Sequence, residues 1–316
     1  MKAPTRPKWA QLAGAVALGA CAWTWLLLPW LGGVGQIIAV AAPAAFVVVV
    51  ALHGVVLLFV RRLLVVVSAV AWLVSGTVMV VSPRAPTHFA APRDPLTIVA
   101  ANLRFDNPTP FAAAGAVNAR HADLVVVSEA TRRSESALAP EYPYHLASGY
   151  EGSNYSEFVG SRYELRPRPV PRDLRQTVVA EVMAPTPFLL IAIHIPRAGV
   201  DLPHLRGQVT FAGQEVTVQA VIRLANASRL PVVVAGDLNV SDRTNAYRQL
   251  VAHRRDAMRS GWAGSTYRQY PWNLFGLRID YALIDHAWCA AHARRFHPPG
   301  SDHNGIQVAI GTCPAS

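Results

Sequence analysis

Eight side chains that can hold a metal ion, carry a proton or grip an anion stand at the ends of short apolar runs in this sequence. They are Asn102, Glu129, His194, Asp237, Asn239, Asp280, Asp302 and His303. The sharpest pattern is Pro231–Val240, reading P-V-V-V-A-G-D-L-N-V. Val232 to Ala235 are too few for a helix and rich in β-branched residues, which predicts a strand buried on both faces. Gly236 ends the run, and Asp237 and Asn239 follow two residues apart, so continued strand geometry turns both to one side. A carboxylate there can orient a water for attack, and an amide can steady charge developing on an oxygen. Asp-x-Asn after a strand is more often the signature of a plain turn, so the other six residues decide.

Asn102 closes the run L-T-I-V-A-A-N, Glu129 follows L-V-V-V-S, and His194 ends L-L-I-A-I-H. Asp280 opens D-Y-A-L-I, and Asp302-His303 follows Gly300-Ser301. Strand ends on one rim of a sheet are where loops build active sites. One Glu, three Asp, two His and two Asn, with no Ser or Cys nucleophile motif, suit a hard cation bound by oxygens and an anionic substrate. They suit Zn²⁺ poorly, because no His–His ligand spacing is present. Taken singly, each residue has a structural reading: Asn102 as a loop cap, Asp280 as an ion pair with Arg278, His303 as a surface histidine.

The elements that must position these residues interleave. Strands are expected at the run ending at Asn102 and at Asp123–Val127, Glu157–Gly160, Thr177–Val182, Leu189–His194, the central run, Asp280–Ile284 and Gly305–Ile310. Helices are expected over Phe111–His121 and Leu205–Ala227. Several strands follow one another with no helix between, which favours a mixed sheet, or two packed sheets with outer helices, over a purely parallel one.

The first part of the chain has a different character. Hydrophobic residues make up 52% of the sequence and charged residues 15%, and every Asp and Glu lies after Ser82. Residues 1–9 form a basic tail, and residues 10–31, 36–60 and 63–81 read as three membrane spans, each long enough to cross a bilayer as a helix. A cleaved signal peptide accounts for one such segment and not for three. His53, inside the second span, is either a neutral packing residue or a functional one. Lys2, Arg6 and Lys8 on one side and Arg61-Arg62 after two crossings obey the positive-inside rule. The N-terminus is then cytoplasmic and everything after Ser82 extracytoplasmic. Residues 83–95, with four prolines, read as a linker, and 96–312 as the catalytic domain. Without the five cations before Ser82 the formal net charge of +10 falls to +5. That suits an anionic substrate or a membrane surface and is weak evidence for nucleic acid. Cys289 and Cys313 flank the last strands, and in an oxidising compartment they are expected to pair. The aromatic stretch 262–275, with Arg268 inside it, could lie on lipid, stack on bases, or plug the space beneath its own loop.

In chain order, A-N-L-R, S-E-A, A-I-H-I-P, G-D-L-N, R-I-D-Y and S-D-H resemble the endonuclease/exonuclease/phosphatase family, over about Leu96 to Ile310. The resemblance implies a four-layer α/β sandwich, two mixed sheets face to face with helices outside. It also implies a Mg²⁺-dependent phosphoric ester hydrolase, with Mn²⁺ as a possible substitute. By position, Glu129 would bind the metal with Asn102 and Asp302, and Asp237 would align the attacking water. Asn239 and His194 would contact the phosphate, and His303, oriented by Asp280, would stabilise the phosphoryl oxygens. Three departures stand out: Ser128 where the family often has Gln, S-D-H-N-G-I where a bulky residue and Pro usually follow, and Arg104 where AP endonucleases carry Asp. They speak against DNA repair. The chain is also similar to three-span members of the family associated with the bacterial cell envelope and teicoplanin resistance, which implies an envelope lipid such as a polyprenyl diphosphate as substrate. A surface nuclease and a non-catalytic module that keeps the fold are the alternatives.

Overall fold

The computed structural model describes residues 85–150, 154–200, 209–210, 212–268 and 276–314, together with isolated helical positions between 40 and 77. Among the described residues no helix is long and apolar enough to cross a membrane. The three expected spans fall almost wholly outside the described residues, as does 269–275 of the aromatic stretch. Arg84–Asp242 with Ala246–Ser316 form one compact unit, and the site lies within it.

Twelve strands of this unit make two six-stranded mixed sheets. The first contains β1 (Arg93–Asn102), β2 (Leu124–Ala130), β3 (Tyr144–Ala147), β4 (Ser156–Ser161) and, from the far end of the chain, Trp288–Phe296 and Gly305–Thr312. The second contains β5 (Leu165–Pro167), β6 (Thr177–Val182), β7 (Phe188–Ile193), the central strand Val232–Asp237, Arg255–Asp256 and Asp280–Ile284. A two-stranded piece, β8 (Gly199–Val200) and β9 (Val209–Thr210), lies between β7 and the central strand in sequence. The later strands are therefore β10 (central), β11, β12 (Asp280–Ile284), β13 and β14. The first sheet runs β13-β14-β1-β2-β4-β3, and the second β11-β12-β10-β7-β6-β5.

Strict alternation along the strands builds the layers. Ile98 and Ala100 of β1, Val126 of β2, Leu190 and Ala192 of β7, Val233 and Ala235 of β10, and Ala282 and Ile284 of β12 share one core between the sheets. The intervening residues face outward. Val99, Ala101, Val125 and Val127 pack on α1 (Pro110–Asn118) and on Leu138 of α2 (Arg132–Leu138). Val232, Val234 and Ile191 pack on α3 (Ala212–Asn226) and α4 (Asn245–His253). The result is the expected sandwich of helix, sheet, sheet and helix. Every residue of β2, β7 and β10 is buried, which is why these runs read as unbroken apolar stretches in sequence.

Some boundaries differ from expectation. The long helix begins at Ala212 rather than Leu205, because Val209–Thr210 is paired as β9. The nine-residue strand β13, W-C-A-A-H-A-R-R-F, was absent from the expected set: beyond Ala290 its residues alternate between half-buried and exposed, so its apolar signal is weak. At its start Cys289 lies opposite Gly311 of β14, and Cys289 and Cys313 are joined in a disulfide with Cα atoms 4.9 Å apart.

Candidate active site

Register brings the site together. Parallel pairing of β1 and β2 sets Asn102 beside Ser128, and antiparallel pairing of β10 and β12 sets Asp237 opposite Asp280. Alternation then decides direction. Asn102, Ser128, His194, Asp237 and Asp280 have the same parity as the residues of the inter-sheet core, so they extend that core to its rim and replace its apolar side chains with polar ones. Glu129 has the opposite parity. It takes φ +53° where the pairing of β2 with β4 shifts register between Val127 and Ala130, and this bulge re-aims its side chain. Gly236 is required at φ +131°, where a Cβ would collide with the carbonyl oxygen of Ile193.

The carboxylates of Glu129 and Asp237 face each other across the two sheets, bridged by one amide. Asn102 Nδ2 donates to Glu129 Oε1 at 3.0 Å and to Asp237 Oδ2 at 2.9 Å, while Asn102 Oδ1 accepts from the Arg104 N–H. Glu129 Oε2 accepts from the Phe105 N–H, and Asp237 Oδ1 from the Asn239 N–H. His194 Nε2 lies 3.8 Å from Glu129 Oε1 and 3.7 Å from Asp237 Oδ2. Asn239, at φ +47°, sends Nδ2 to the Ile195 carbonyl at 2.9 Å and to within 3.2 Å of His194 Nε2. On the other side of Asp237, His303 Nε2 is 3.8 Å from Oδ2, and its Nδ1 is 2.9 Å from Asp280 Oδ2. Asp280 and Ile279 donate their backbone N–H groups to Thr266 Oγ1.

Two three-residue sets could therefore hold a cation, Glu129–His194–Asp237 and Asp237–Asp280–His303, with Asp237 common to both. The first has the chemistry of a divalent site: two buried carboxylates and an imidazole converge, with only an amide NH₂ between the anions. The second is an ion pair. Burial pulls the His303 imidazole down, but the carboxylates of Asp280 and Asp237 and the hydrogen bond to Asp280 outweigh it and push it up to about 9. At neutral pH His303 is thus an imidazolium whose Nε2 is buried and has no hydrogen-bond partner among the described residues. Burial raises Asp280, against the pull of His303.

Of the eight residues singled out from sequence, seven converge here. The side chain of Asp302 belongs to neither set; its backbone carbonyl accepts from the Arg268 N–H. Arg278 does not pair with Asp280. It turns away, fully buried, to Asp256, Asp242 and the Tyr247 hydroxyl. Within the aromatic stretch, Tyr267 packs edge-on against the His303 ring at 5.1 Å, and Arg268 bonds the Ser301 carbonyl and His297, so these two residues brace the His303 loop.

Sequence reasoning missed several supports. Ser128 Oγ donates to Glu157 Oε1 at 3.1 Å and accepts from the Asp237 N–H at 3.2 Å. Ser301 Oγ donates to the Asn102 carbonyl and accepts from the His303 N–H. Glu157 is wholly buried. Burial pushes its carboxyl well above the usual range; the Ser128 hydrogen bond opposes this, and the charges of Asp237, Glu129 and Asp280 reinforce it. A signal existed: Glu157 stands two residues before Val159 in an alternating strand, a charged residue at a core-facing position.

Comparison with known proteins agrees with this geometry. Residues 75–303 match the Endonuclease/Exonuclease/phosphatase family. Among solved structures, an endonuclease/exonuclease/phosphatase from Bacteroides vulgatus aligns with a TM-score of 0.55 and 16% identity, covering 70% of this chain and all of that one. A humanized D. rerio TDP2 aligns with a TM-score of 0.56 and 15% identity, over 70% and 100% of the two chains. A Bacteroides thetaiotaomicron mannosyl-6-phosphatase aligns with a TM-score of 0.51 and 15% identity, over 68% and 99%. No curated protein matches the chain in sequence. With nearly three quarters of its length inside the family match and the site at the shared rim of two packed sheets, the chain belongs to the endonuclease/exonuclease/phosphatase family.

Proposed function

We propose that this protein is a membrane-anchored, extracytoplasmic phosphoesterase that cleaves a phosphate ester or diphosphate of an envelope lipid, such as a polyprenyl diphosphate, by in-line attack of water. The observation that carries the reading is Asp237, buried between a cation-binding set on one side and an imidazolium on the other. Glu129, Asp237 and His194 would hold a divalent cation, Mg²⁺ or Mn²⁺, whose charge would neutralise phosphoryl oxygens, and the Asn102 amide positions the two carboxylates. Asp237 orients the attacking water and takes its proton as the new P–O bond forms. The bond to the leaving oxygen breaks with its electron pair, and the proton taken up by Asp237 is returned through solvent to complete the leaving group. His303 offers Nε2–H to a phosphoryl oxygen, held in that direction by Asp280. Asn239 steadies the phosphoryl group from the side opposite His303.

The anchoring rests on the three apolar segments and their basic flanks. It is supported by Val66, Val70, Leu73 and Val74, which repeat at helical spacing and are all exposed. The Cys289–Cys313 disulfide supports an oxidising compartment for the catalytic domain. The test is a release assay with the full chain in detergent against a polyprenyl diphosphate, a phospholipid and DNA, with and without EDTA. Chelator-sensitive release from the diphosphate is expected. Release from DNA alone would establish the nuclease reading instead, and no release from any of the three would refute the enzyme.

A further inference from the structure

A cavity of about 600 Å³ lies next to the catalytic rim and takes no part in the chemistry described above. Phe105 and Thr131 form the wall it shares with the site: the Phe105 N–H is the donor to Glu129 Oε2, and Thr131 is two residues beyond Glu129. The Phe105 ring stacks on Tyr155 at 5.5 Å, and Tyr155 in turn lies 5.8 Å from the His194 ring, so an aromatic ridge links the catalytic histidine to the cavity mouth. Arg132, Arg133, Tyr150 and Asn154 line the other side.

The charges in this cavity are unequal. Asp106, the one acidic residue among the described residues of the lining, is neutralised by a two-point pair with Arg104. Glu135, on the same helix as the two arginines, is engaged by the Ser156 hydroxyl. Arg132 lies over the Tyr150 ring at 5.0 Å, and neither Arg132 nor Arg133 has a carboxylate partner among the described residues. Two adjacent guanidiniums without a carboxylate partner among the described residues, on a lining that also offers aromatic faces and an amide, make an anion-binding wall.

We propose that this cavity is a subsite for a second phosphoryl group of the substrate, next to the one attacked at Asp237. The inference rests on the phosphoesterase reading and narrows it to substrates with two neighbouring phosphoryl groups, as in an organic diphosphate or consecutive phosphodiesters. Arg132 and Arg133 bind and position; they do not touch the reacting atoms.

The test uses the full chain in detergent with Arg132→Ala, Arg133→Ala and the double variant, each checked for an unchanged thermal midpoint. Three substrates are compared: p-nitrophenyl phosphate, a prenyl diphosphate and a short single-stranded oligonucleotide. KM for substrates with a second phosphoryl group should rise roughly tenfold for each guanidinium removed, the loss of one charge-assisted hydrogen bond, while kcat/KM for p-nitrophenyl phosphate stays unchanged. Whichever of the diphosphate and the oligonucleotide shows the effect identifies the source of the second group. Calorimetric binding of methylenediphosphonate against methylphosphonate gives the same comparison without turnover. Equal losses on mono- and diphosphate substrates, or no loss on either, would overturn the subsite and leave the phosphoesterase standing. Absence of all turnover would overturn the phosphoesterase, and the calorimetry would then decide the subsite alone.

Discussion

Glu157 offers the most direct test of how the site is held. Its carboxyl lies between the two sheets, its Oε1 accepts from Ser128, and its Oε2 has no hydrogen-bond partner among the described residues. Burial sets its folded pKa well above the ordinary 4.5, so the folded protein keeps a proton that the unfolded chain gives up. Below the ordinary value both states are protonated and the residue adds nothing to the pH dependence. As pH climbs from there towards the folded value, the wild type loses about 1.4 kcal/mol per pH unit relative to a variant that cannot ionise. Glu157→Gln is that variant. Its amide oxygen still accepts from Ser128, while its extra N–H donors carry a penalty that does not change with pH. For a domain of this size the gap in thermal midpoint between Gln and wild type should move in favour of Gln by roughly 3–6 °C per pH unit. The measurement is a set of thermal melts of both full chains in detergent and EDTA, at about pH 5, 6 and 7, with tryptophan emission as the signal. Since Ser128 holds the Asp237 N–H, kcat of the Gln variant should stay within a few-fold of wild type. A midpoint gap that stays flat, or that shrinks with rising pH, would refute a protonated Glu157.

Three further outcomes follow from the same geometry. Glu129→Gln and Asp237→Asn should each lower metal-dependent phosphate release by about 10³-fold or more while leaving the thermal midpoint within a few degrees; near-normal turnover would remove that residue from the site. On the proposed mechanism the acting form of His303 is the imidazolium, so kcat should fall as alkaline pH removes its proton, and His303→Ala should abolish that alkaline limb along with most of kcat. In unreduced protein from its native source, Cys289 and Cys313 should resist alkylation. Opening the bridge, which spans 24 residues of sequence, should cost about 3 kcal/mol, and freely alkylated thiols would count against the extracytoplasmic placement proposed for the domain.

What was legible in the sequence, and what was not, divides along physical lines. The central strands were legible because burial on both faces leaves an unbroken β-branched run: V-V-V-A in β10, L-V-V-V in β2, L-L-I-A-I in β7. The residues that close or open such runs had to emerge at a rim, so Asn102, His194, Asp237 and Asp280 could be placed from the sequence. Edge strands such as β13 were not legible, since alternating exposure dilutes their apolar signal. Nor was the aim of Glu129, which depends on a bulge and a left-handed backbone that no periodicity encodes. Ser128 is the most instructive case. Read as a motif position, it counted as a departure from the family's usual Gln. Read in three dimensions, its hydroxyl bonds both the buried acid and the strand carrying Asp237. Glu157 Oε1 would lie 3.1 Å from a Cβ at residue 236, and the Ile193 carbonyl oxygen leaves no room for one at all, so this packing also needs Gly236. Ser128, Glu157 and Gly236 therefore form one solution distributed over three strands. Replacing Ser128 with the larger Gln while Glu157 stays would crowd the inter-sheet space, and the crowding should ease only if Glu157 is shortened as well. A double-mutant cycle on Ser128→Gln and Glu157→Ala measures this as a coupling of about 1 kcal/mol or more, and strictly additive effects would show that the two positions vary independently.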